Sequence, residues 1–301
     1  MNHKTFQFLT QKRNSDKLQF ELEHGLSYDS IDKNGETLLC SAIGNENYEL
    51  MKYLLDGRCS PNRAKGSDEA PIERAALVSN CTAIQILLDD PNFVIAPDER
   101  PLHCASMYGP LKAVKMLVEY GFSPAQTDDW QRMPIHWAIQ EHHPSIVTYL
   151  LGKMSAEEVD LADNAENLSG LAIGEYNARN KDSVECIKIV LTNPKSKMSV
   201  NKNNKLTFAV CIKKLPLVKL CVELGADVNL PDDDGLTPLF VAKLRRQNTI
   251  ADYLISQGAK TDFVSPKGIS IADLDNEDIR RKTFIEWYFP PEEWDCPDCL
   301  D

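Results

Sequence analysis

The amino-acid sequence predicts an all-α solenoid of about seven helix-turn-helix repeats, with β-hairpin-like loops and an atypical cap at each end. Three observations support this prediction. A short alanine-containing motif recurs at intervals of 30 to 37 residues, an apolar run with helical spacing follows each alanine after about nine residues, and a glycine often ends the unit. Repeats of this length are typical of stacked helical units that bury a continuous core between neighbours. The recurring alanines are Ala42, Ala75, Ala105, Ala138, Ala172, Ala209 and Ala242.

Residues 1–29 are predicted to form an N-terminal cap of two short helices. The segments TFQFLTQ and DKLQFELEHG have apolar residues at helical spacing, and the second segment ends at Gly25. An end repeat must hide its outer face from water, so we expect a terminal unit to depart from the repeat pattern.

The first helix of a repeat is predicted to begin at a proline in four of the repeats. Proline is favoured at the first helical position because it lacks an N–H group that would otherwise need a partner, and because its φ angle is already helical. These residues are Pro71, Pro101, Pro134 and Pro238.

A hydroxyl cap is expected before only some of these prolines. Thr237 precedes Pro238 and can accept a hydrogen bond from the first turn of the helix. In repeats two, three and four the same position is Ala70, Arg100 or Met133. These three helices are therefore expected to lose a cap that is worth about 1 kcal/mol.

The second helix of each repeat is predicted from apolar runs such as AVKMLVEYG and SIVTYLLG, in which apolar residues recur at helical spacing. Repeat five has the additional residues EYNARNKDS between its helices. Residues 266–288 begin like another repeat and then diverge, which predicts a C-terminal cap. Residues 289–301 are acidic and aromatic, and we expect them to form a flexible tail.

The motifs of the repeat resemble those of the ankyrin-repeat family. The family signature T-P-L-H-x-A is matched by P-L-H-C-A at 101–105, P-I-H-W-A at 134–138 and T-P-L-F-V-A at 237–242. The segment LGADVN at 224–229 is similar to the family's exit into the next loop. The resemblance covers roughly residues 30–265 and implies an ankyrin-repeat solenoid.

The histidines are interpreted as structural. The resemblance implies that His103 and His136 form hydrogen bonds between neighbouring loops. His142 and His143 occupy the turn between the two helices of their repeat, where we expect them to be solvated.

Composition argues against several functional classes. The chain has 33 basic and 45 acidic residues and a formal net charge of −12, which is unfavourable for nucleic-acid binding. No apolar stretch approaches the roughly 18 residues of a membrane-spanning helix, and the N-terminus lacks the apolar core of a Sec signal. Nine cysteines, most of them scattered, are typical of buried thiols in a reducing compartment. We therefore expect a monomeric cytoplasmic protein with no nucleic-acid partner and no membrane span.

Catalytic and metal-binding motifs are not evident. The sequence contains no phosphate-binding loop, no HExxH helix and no nucleophile elbow. Cys296 and Cys299 form a CxxC pair, but a structural zinc site needs four ligands and the neighbouring sequence supplies no second pair. We predict no enzymatic activity, no cofactor and no metal site within the chain, while a metal site shared between two chains stays open.

Binding of a protein partner is the function that the resemblance implies. In an ankyrin stack, the loop tips and the ends of the first helices project along one concave side. Aromatic, arginine and methionine side chains are enriched in interface cores, and a tryptophan at a loop tip, Trp130, is unusual unless it folds back onto its own repeat. The predicted partner-binding residues are Arg100, Met107, Tyr108, Asp129, Trp130, Arg132, Gln140 and Glu141.

The biological role is left open between alternatives. The protein is interpreted as a scaffold, an adaptor or an effector delivered into a host cell by a non-Sec route. The last role is suggested because residues 289–301 resemble in composition the glutamate-bearing C-terminal signals of bacterial effectors exported by type IV secretion. The alternative to a binding module is a modifying activity that uses the irregular fifth repeat or the cysteines of the tail.

Overall fold

The computed structural model describes residues 3–57, 59–62, 69–166, 171–172, 174–175, 177, 179–195 and 205–288. The chain divides into two compact units, unit 1 (Met1–Glu158) and unit 2 (Val159–Asp301). The described residues form short helices joined by turns and loops, without a strand longer than an isolated bridge. The all-α repeat fold predicted from the sequence is confirmed.

Unit 1 begins with two short helices and continues with four helix pairs. The first segment contains α1 (His3–Leu9), a 3-10 turn (Lys12–Asn14) and α2 (Ser15–Glu23). The helix pairs are α3 (Leu38–Gly44) with α4 (Tyr48–Asp56), α5 (Pro71–Leu77) with α6 (Cys81–Leu88), α7 (Pro101–Tyr108) with α8 (Leu111–Tyr120), and α9 (Pro134–Gln140) with α10 (Pro144–Lys153).

Helix α11 (Ala156–Glu166) contains the boundary between the units. The fifth repeat is described at Leu171 and Ala172, which are helical, and in its second helix. The elements of unit 2 are α12 (Lys181–Leu191), α13 (Lys205–Cys211) with α14 (Leu215–Glu223), α15 (Pro238–Leu244) with α16 (Asn248–Ser256), a 3-10 turn (Ala272–Asp275) and α17 (Glu277–Tyr288).

The seven recurring alanines are all buried. In unit 1 the first helices of successive repeats contact one another in chain order, from α3 through α5 and α7 to α9. In unit 2, α13 contacts α15 in the same way. A methyl side chain leaves room for this contact, and a larger residue would have to displace packed neighbours.

An aspartate at the base of several loops holds the hairpin shape. Oδ1 of Asp32 accepts hydrogen bonds from the backbone N–H groups of Asn34 and Glu36, at 2.8 and 3.0 Å. Asp232 Oδ1 accepts from Leu236 N at 2.7 Å, and the backbone N–H of Asp232 donates to Leu236 O at 2.8 Å. The loops are therefore hydrogen-bonded turns, with an aspartate that mimics a backbone acceptor.

All four predicted prolines begin a helix, and the caps before them differ as expected. Thr237 Oγ1 accepts from Phe240 N at 3.3 Å, whereas Ala70, Arg100 and Met133 provide no side-chain cap.

All three helix starts without a hydroxyl nevertheless have a side-chain acceptor that the sequence did not reveal. Glu73 Oε2 accepts from Ala70 N at 3.2 Å, and Glu73 Oε1 accepts from Arg100 N at 2.6 Å, so one carboxylate joins the starts of α5 and α7. His136 Nδ1 accepts from Met133 N at 2.9 Å.

Replacing Glu73 with alanine is expected to lower the free energy of unfolding by about 2 kcal/mol, because the N–H groups of Ala70 and Arg100 lose their acceptor. Glu73→Gln keeps one acceptor oxygen and should cost less. Urea unfolding followed by circular dichroism measures both changes. Glu141→Ala removes an exposed carboxylate from the same unit and is the control, expected to stay within about 0.5 kcal/mol of the natural protein. Equal stability of Glu73→Ala and the control would contradict the bridging role.

Candidate binding surface

The ends of α5 and α7 and the loop before α9 enclose a pocket of about 280 Å³ in unit 1. Five of the eight residues predicted to bind a partner line this pocket, although they are spread over 31 positions of the sequence. These five are Arg100, Met107, Tyr108, Asp129 and Trp130, and the other lining residues are Leu77, Asp98, His103, Cys104, Asp128 and Trp137.

Trp130 projects from the loop tip and is not covered by its own repeat. It is 67% exposed, and the guanidinium carbon of Arg132 lies 4.9 Å from its ring centroid. Stacking of this kind holds an exposed indole by cation–π attraction of about 0.5–1 kcal/mol. The exposed Trp130 therefore has a supported orientation without being buried.

Arg132 lies behind Trp130 rather than on the outer surface. Its guanidinium carbon is 3.8 Å from the ring centroid of Trp137, and its Nε lies 3.5 Å from Asp128 Oδ2. The side chain of Arg132 is only 18% exposed. Its position is that of a support for the loop tip.

Asp128 organises this loop. Its Oδ1 accepts from the N–H groups of Trp130 and Arg132 at 3.0 and 2.8 Å, and its Oδ2 accepts from Trp137 Nε1 at 3.0 Å. Burial raises the pKa of Asp128, but these hydrogen bonds and the charge of Arg132 outweigh burial and leave the pKa below its ordinary value. The residues predicted from the sequence include Asp129 and not this neighbour.

Tyr108 is the second large exposed side chain beside the pocket. It is 52% exposed at the end of α7, and its carbonyl oxygen accepts a hydrogen bond from Ser79 Oγ at 2.8 Å. Leu77, at the end of α5, is also exposed. We call Leu77, Tyr108 and Trp130, with the pocket that they border, the unit 1 patch.

Arg100 is engaged with its own loop. Its Nη1 donates to the carbonyl oxygens of Pro97 and Glu99 at 2.7 and 3.2 Å. Gln126 Nε2 donates to the same two oxygens at 3.0 and 3.1 Å. Arg100 thus fixes the loop that forms one wall of the pocket.

Gln140 and Glu141 are not among the described residues that line the pocket. Gln140 is half-buried and Glu141 is exposed, at the end of α9. The expectation that His142 and His143 are simply solvated is wrong for His143. This side chain is half-buried, and its Nε2 donates to the carbonyl oxygen of Met107 in the preceding repeat at 3.1 Å.

His103 lies buried under the pocket and joins two repeats, as the resemblance implied. Its Nε2 donates to the carbonyl oxygen of Arg132 at 3.1 Å. Burial lowers the pKa of His103 from 6.5 to about 4, so the imidazole is neutral near pH 7.

The described residues contain no group of three or more His, Cys, Asp or Glu side chains that could hold a metal ion. Burial raises the pKa of the Cys40, Cys104 and Cys186 thiols to about 12, which makes them poor nucleophiles. Among the described helices, none is long and apolar enough to cross a bilayer. Cys296 and Cys299 lie outside the described residues.

A family model for ankyrin repeats, in three copies, matches residues 72–163 and 175–264. Among solved structures, the ankyrin repeat domain of Bcl-3 superposes with a TM-score of 0.53 at 20% identity, covering 71% of this chain and 99% of that domain. At this level of identity the match is a likeness of fold.

Several curated proteins resemble most of this chain. ZDHHC13 of Danio rerio is 30% identical over 225 residues, covering 74% of this chain and 30% of that protein. Human transient receptor potential cation channel subfamily A member 1 is 26% identical, covering 81% and 26%, and human Rabankyrin-5 is 27% identical, covering 75% and 18%. The chain thus spans less than a third of the length of these relatives.

Acid is expected to destabilise unit 1 through His103. Because its pKa is about 4 in the folded protein and about 6.5 in an unfolded chain, the unfolded state binds more protons between these pH values. The stability that neutral His103 gives the fold is complete above pH 6.5 and is lost as the pH falls towards 4. The full loss in the free energy of unfolding is about 3 kcal/mol.

His103→Gln tests this pH dependence, since a glutamine amide can donate to Arg132 O and does not titrate. Unfolding free energies of both proteins should be measured across the interval from pH 6.5 to pH 4. Carboxylates titrate in both proteins, so the difference between the two curves isolates His103. The natural protein should lose more stability on acidification, and parallel curves would show that the buried imidazole is not responsible.

Proposed function

The chain belongs to the ankyrin-repeat family, and from this premise we propose that it is a non-enzymatic module that binds a protein partner through the unit 1 patch. Ankyrin repeats are in general protein–protein interaction modules, and the fold is typically non-enzymatic. The observation that carries the proposal is that two exposed aromatic side chains, Tyr108 and Trp130, line the same pocket. Aromatic anchors next to a pocket dominate the energy of many interfaces.

The patch is held ready for binding, which favours affinity. Asp128 holds the backbone of the Trp130 loop, Arg132 supports the indole, and Ser79 holds the carbonyl at Tyr108. Side chains and loops that are already ordered lose less conformational entropy on binding.

The size and charge of the pocket indicate what kind of partner fits. A volume of about 280 Å³ is at the lower limit of the roughly 300–1,000 Å³ that small-molecule sites occupy, and it suits one inserted side chain better than a whole ligand. Asp98 and Asp129 are exposed carboxylates at its border. We therefore propose a partner segment that inserts an apolar side chain and flanks it with lysine or arginine.

The alternative, a modifying activity, has little support from the described part of the fifth repeat. Cys186, in α12, is buried and its pKa is raised to about 12 by burial, whereas thiol catalysis needs an accessible thiolate. The cysteines of the tail lie outside the described residues. Mass measurement of a captured partner separates the two functions, because a binding module leaves the partner's mass unchanged.

We further propose that the protein acts as a monomer in a reducing compartment, without a nucleic-acid partner. The buried thiols Cys40, Cys59 and Cys221 support this setting. A scaffold or adaptor role requires only the binding of a protein partner. A role as an exported effector depends on residues 289–301, which lie outside the described residues.

The export hypothesis predicts that removal of residues 289–301 abolishes delivery into a host cell while leaving the repeats folded. Delivery can be measured with a reporter enzyme fused to the N-terminus, and circular dichroism checks the fold. Delivery that is undiminished after the deletion would refute an export role for the tail.

Substitution of Trp130 by alanine is expected to weaken partner binding by about 2 kcal/mol or more, roughly thirtyfold, because an interface anchor is lost. As a defined probe we suggest peptides selected from a random phage-displayed library on the full-length protein, with affinities measured by calorimetry. Selected peptides should carry an apolar residue flanked by basic ones. Tyr108→Ala should act in the same direction as Trp130→Ala.

Two further variants test whether the loss of peptide binding is specific to the unit 1 patch. Phe20→Ala removes an exposed aromatic ring from α2 of the same unit and should leave the affinity unchanged. Asp98→Asn with Asp129→Asn should reduce the association rate and its salt dependence, since border charges mainly steer encounter. Peptides that bind Trp130→Ala, Tyr108→Ala and the natural protein equally well would exclude the unit 1 patch as the binding surface.

A further inference from the structure

We propose that a basic groove in unit 2 binds the chain's own acidic residues 289–301. The groove has a volume of about 500 Å³ and lies between α17 and the turns that follow the first helices of repeats six and seven. It is separate from the unit 1 patch in residues and in charge, so it does not depend on the function proposed above. Its lining consists of five cations, Lys213, Arg245, Arg246, Arg280 and Arg281, one carboxylate, Glu277, and three apolar side chains, Leu244, Phe284 and Ile285.

One face of α17 forms a wall of the groove. The residues that α17 contributes stand at positions 277, 280, 281, 284 and 285, which is the i, i+3, i+4, i+7, i+8 pattern of a single helical face. Trp287 lies outside this set, and its ring is approached by Lys267 Nζ at 4.4 Å. The charged residues come first along this face, and the apolar Phe284 and Ile285 come last.

The groove has an excess of positive charge in a chain whose net charge is −12. Its one carboxylate, Glu277, pairs with both Arg246 and Arg280. Arg245 Nη1 donates to the carbonyl oxygen of Cys211 at 3.3 Å, which holds that guanidinium at the border of the groove. Five cations around one carboxylate attract a segment that carries several negative charges.

Residues 289–301 have the complementary composition. They contain no lysine or arginine, and they carry aromatic and aliphatic side chains at Phe289, Trp294 and Leu300. Carboxylates can pair with the cations of the groove while an apolar side chain covers Phe284 and Ile285. The carboxylate residues are Glu292, Glu293, Asp295, Asp298 and Asp301.

The segment is long enough to reach the groove from the end of α17. Helix α17 ends at Tyr288, and Pro290 and Pro291 cannot continue it. The helix rises about 12 Å between Glu277 and Ile285, whereas eight residues of extended chain span about 26 Å. A segment that turns back after the prolines can therefore follow the charged face of α17 as far as Arg246.

Covalent attachment makes a weak interaction sufficient. A segment tethered by a short linker is present at an effective concentration in the millimolar range, so even modest affinity keeps the groove occupied. Occupation by residues 289–301 would close the groove to acidic segments of other molecules until the tail is displaced.

The test uses full-length protein and a fluorescein-labelled synthetic peptide with the sequence of residues 289–301. Binding is measured by fluorescence anisotropy at low ionic strength. The natural protein is compared with a tail-neutral protein, Glu292→Gln/Glu293→Gln/Asp295→Asn. The tail-neutral protein should bind the peptide about tenfold more tightly, because its own tail no longer competes for the groove. Added salt should weaken this binding.

Groove substitutions in the tail-neutral protein locate the binding site. Arg245→Gln/Arg246→Gln/Arg281→Gln should weaken peptide binding about tenfold or more, because three of the five cations of the groove are lost. The matched control, Lys52→Gln/Lys112→Gln/Lys260→Gln, removes the same charge from exposed lysines outside the groove and should bind like the tail-neutral protein. Arg281→Gln alone affects one exposed side chain, so it gives a folded variant in which a smaller loss of binding is expected.

Three results would overturn the proposal. The first is a tail-neutral protein that does not bind the peptide. The second is equal binding by the natural and tail-neutral proteins, which would make the groove a site for acidic segments of other molecules. The third is peptide binding that the groove substitutions and the lysine control reduce equally, which would indicate a general charge effect.

Discussion

The small buried side chain at one position of each repeat is the constraint on which the remaining structure depends. Alanine at this position allows the first helices of neighbouring repeats to contact one another, α5 with α7 and α7 with α9 in unit 1. That contact brings the start of one first helix near the start of the next, so that a single carboxylate, Glu73, can accept from the N–H groups of Ala70 and Arg100. Loops that follow each other in the chain then become neighbours in space.

The polar contacts that join repeats also build the unit 1 patch. Asp128 shapes a hairpin loop, and the same carboxylate places the N–H groups of Trp130 and Arg132. His103, in repeat three, donates to the carbonyl of Arg132 in repeat four. In the opposite direction, His143 of repeat four donates to the carbonyl of Met107 in repeat three. Because each of these groups is used by the fold, a substitution there would change stability as well as binding. The exposed ends of the Tyr108 and Trp130 side chains contribute less to the stability of the fold, which makes them suitable for binding a partner.

Positions that repeat along the chain could be predicted from the sequence, whereas the contacts that Glu73 and His143 make between repeats could not. The buried alanines, the prolines at helix starts and the cap at Thr237 follow from local rules that each repeat obeys separately. The bonds of Glu73 to Arg100 and of His143 to Met107 escaped prediction because the two partners lie about 30 residues apart, on different repeats. The aspartate at the base of the loop was missed at Asp128 because its neighbour, Asp129, is equally acidic, and only the backbone geometry shows which one accepts.

The repeat register also explains how one chain can present two surfaces of different chemistry. The residue three positions after a recurring alanine lies at or just after the end of the first helix, and none of the described residues at this position is buried. This residue is Tyr108 in repeat three and Arg245 in repeat seven, and the next residue in repeat seven is Arg246. A change at such a position leaves the buried alanine, the helix starts and the loop hydrogen bonds intact. Tyr108 there lines the pocket of the unit 1 patch, and Arg245 and Arg246 line the basic groove. Because the buried alanine is kept in both repeats, the chemistry of recognition can differ between the units at little cost in stability.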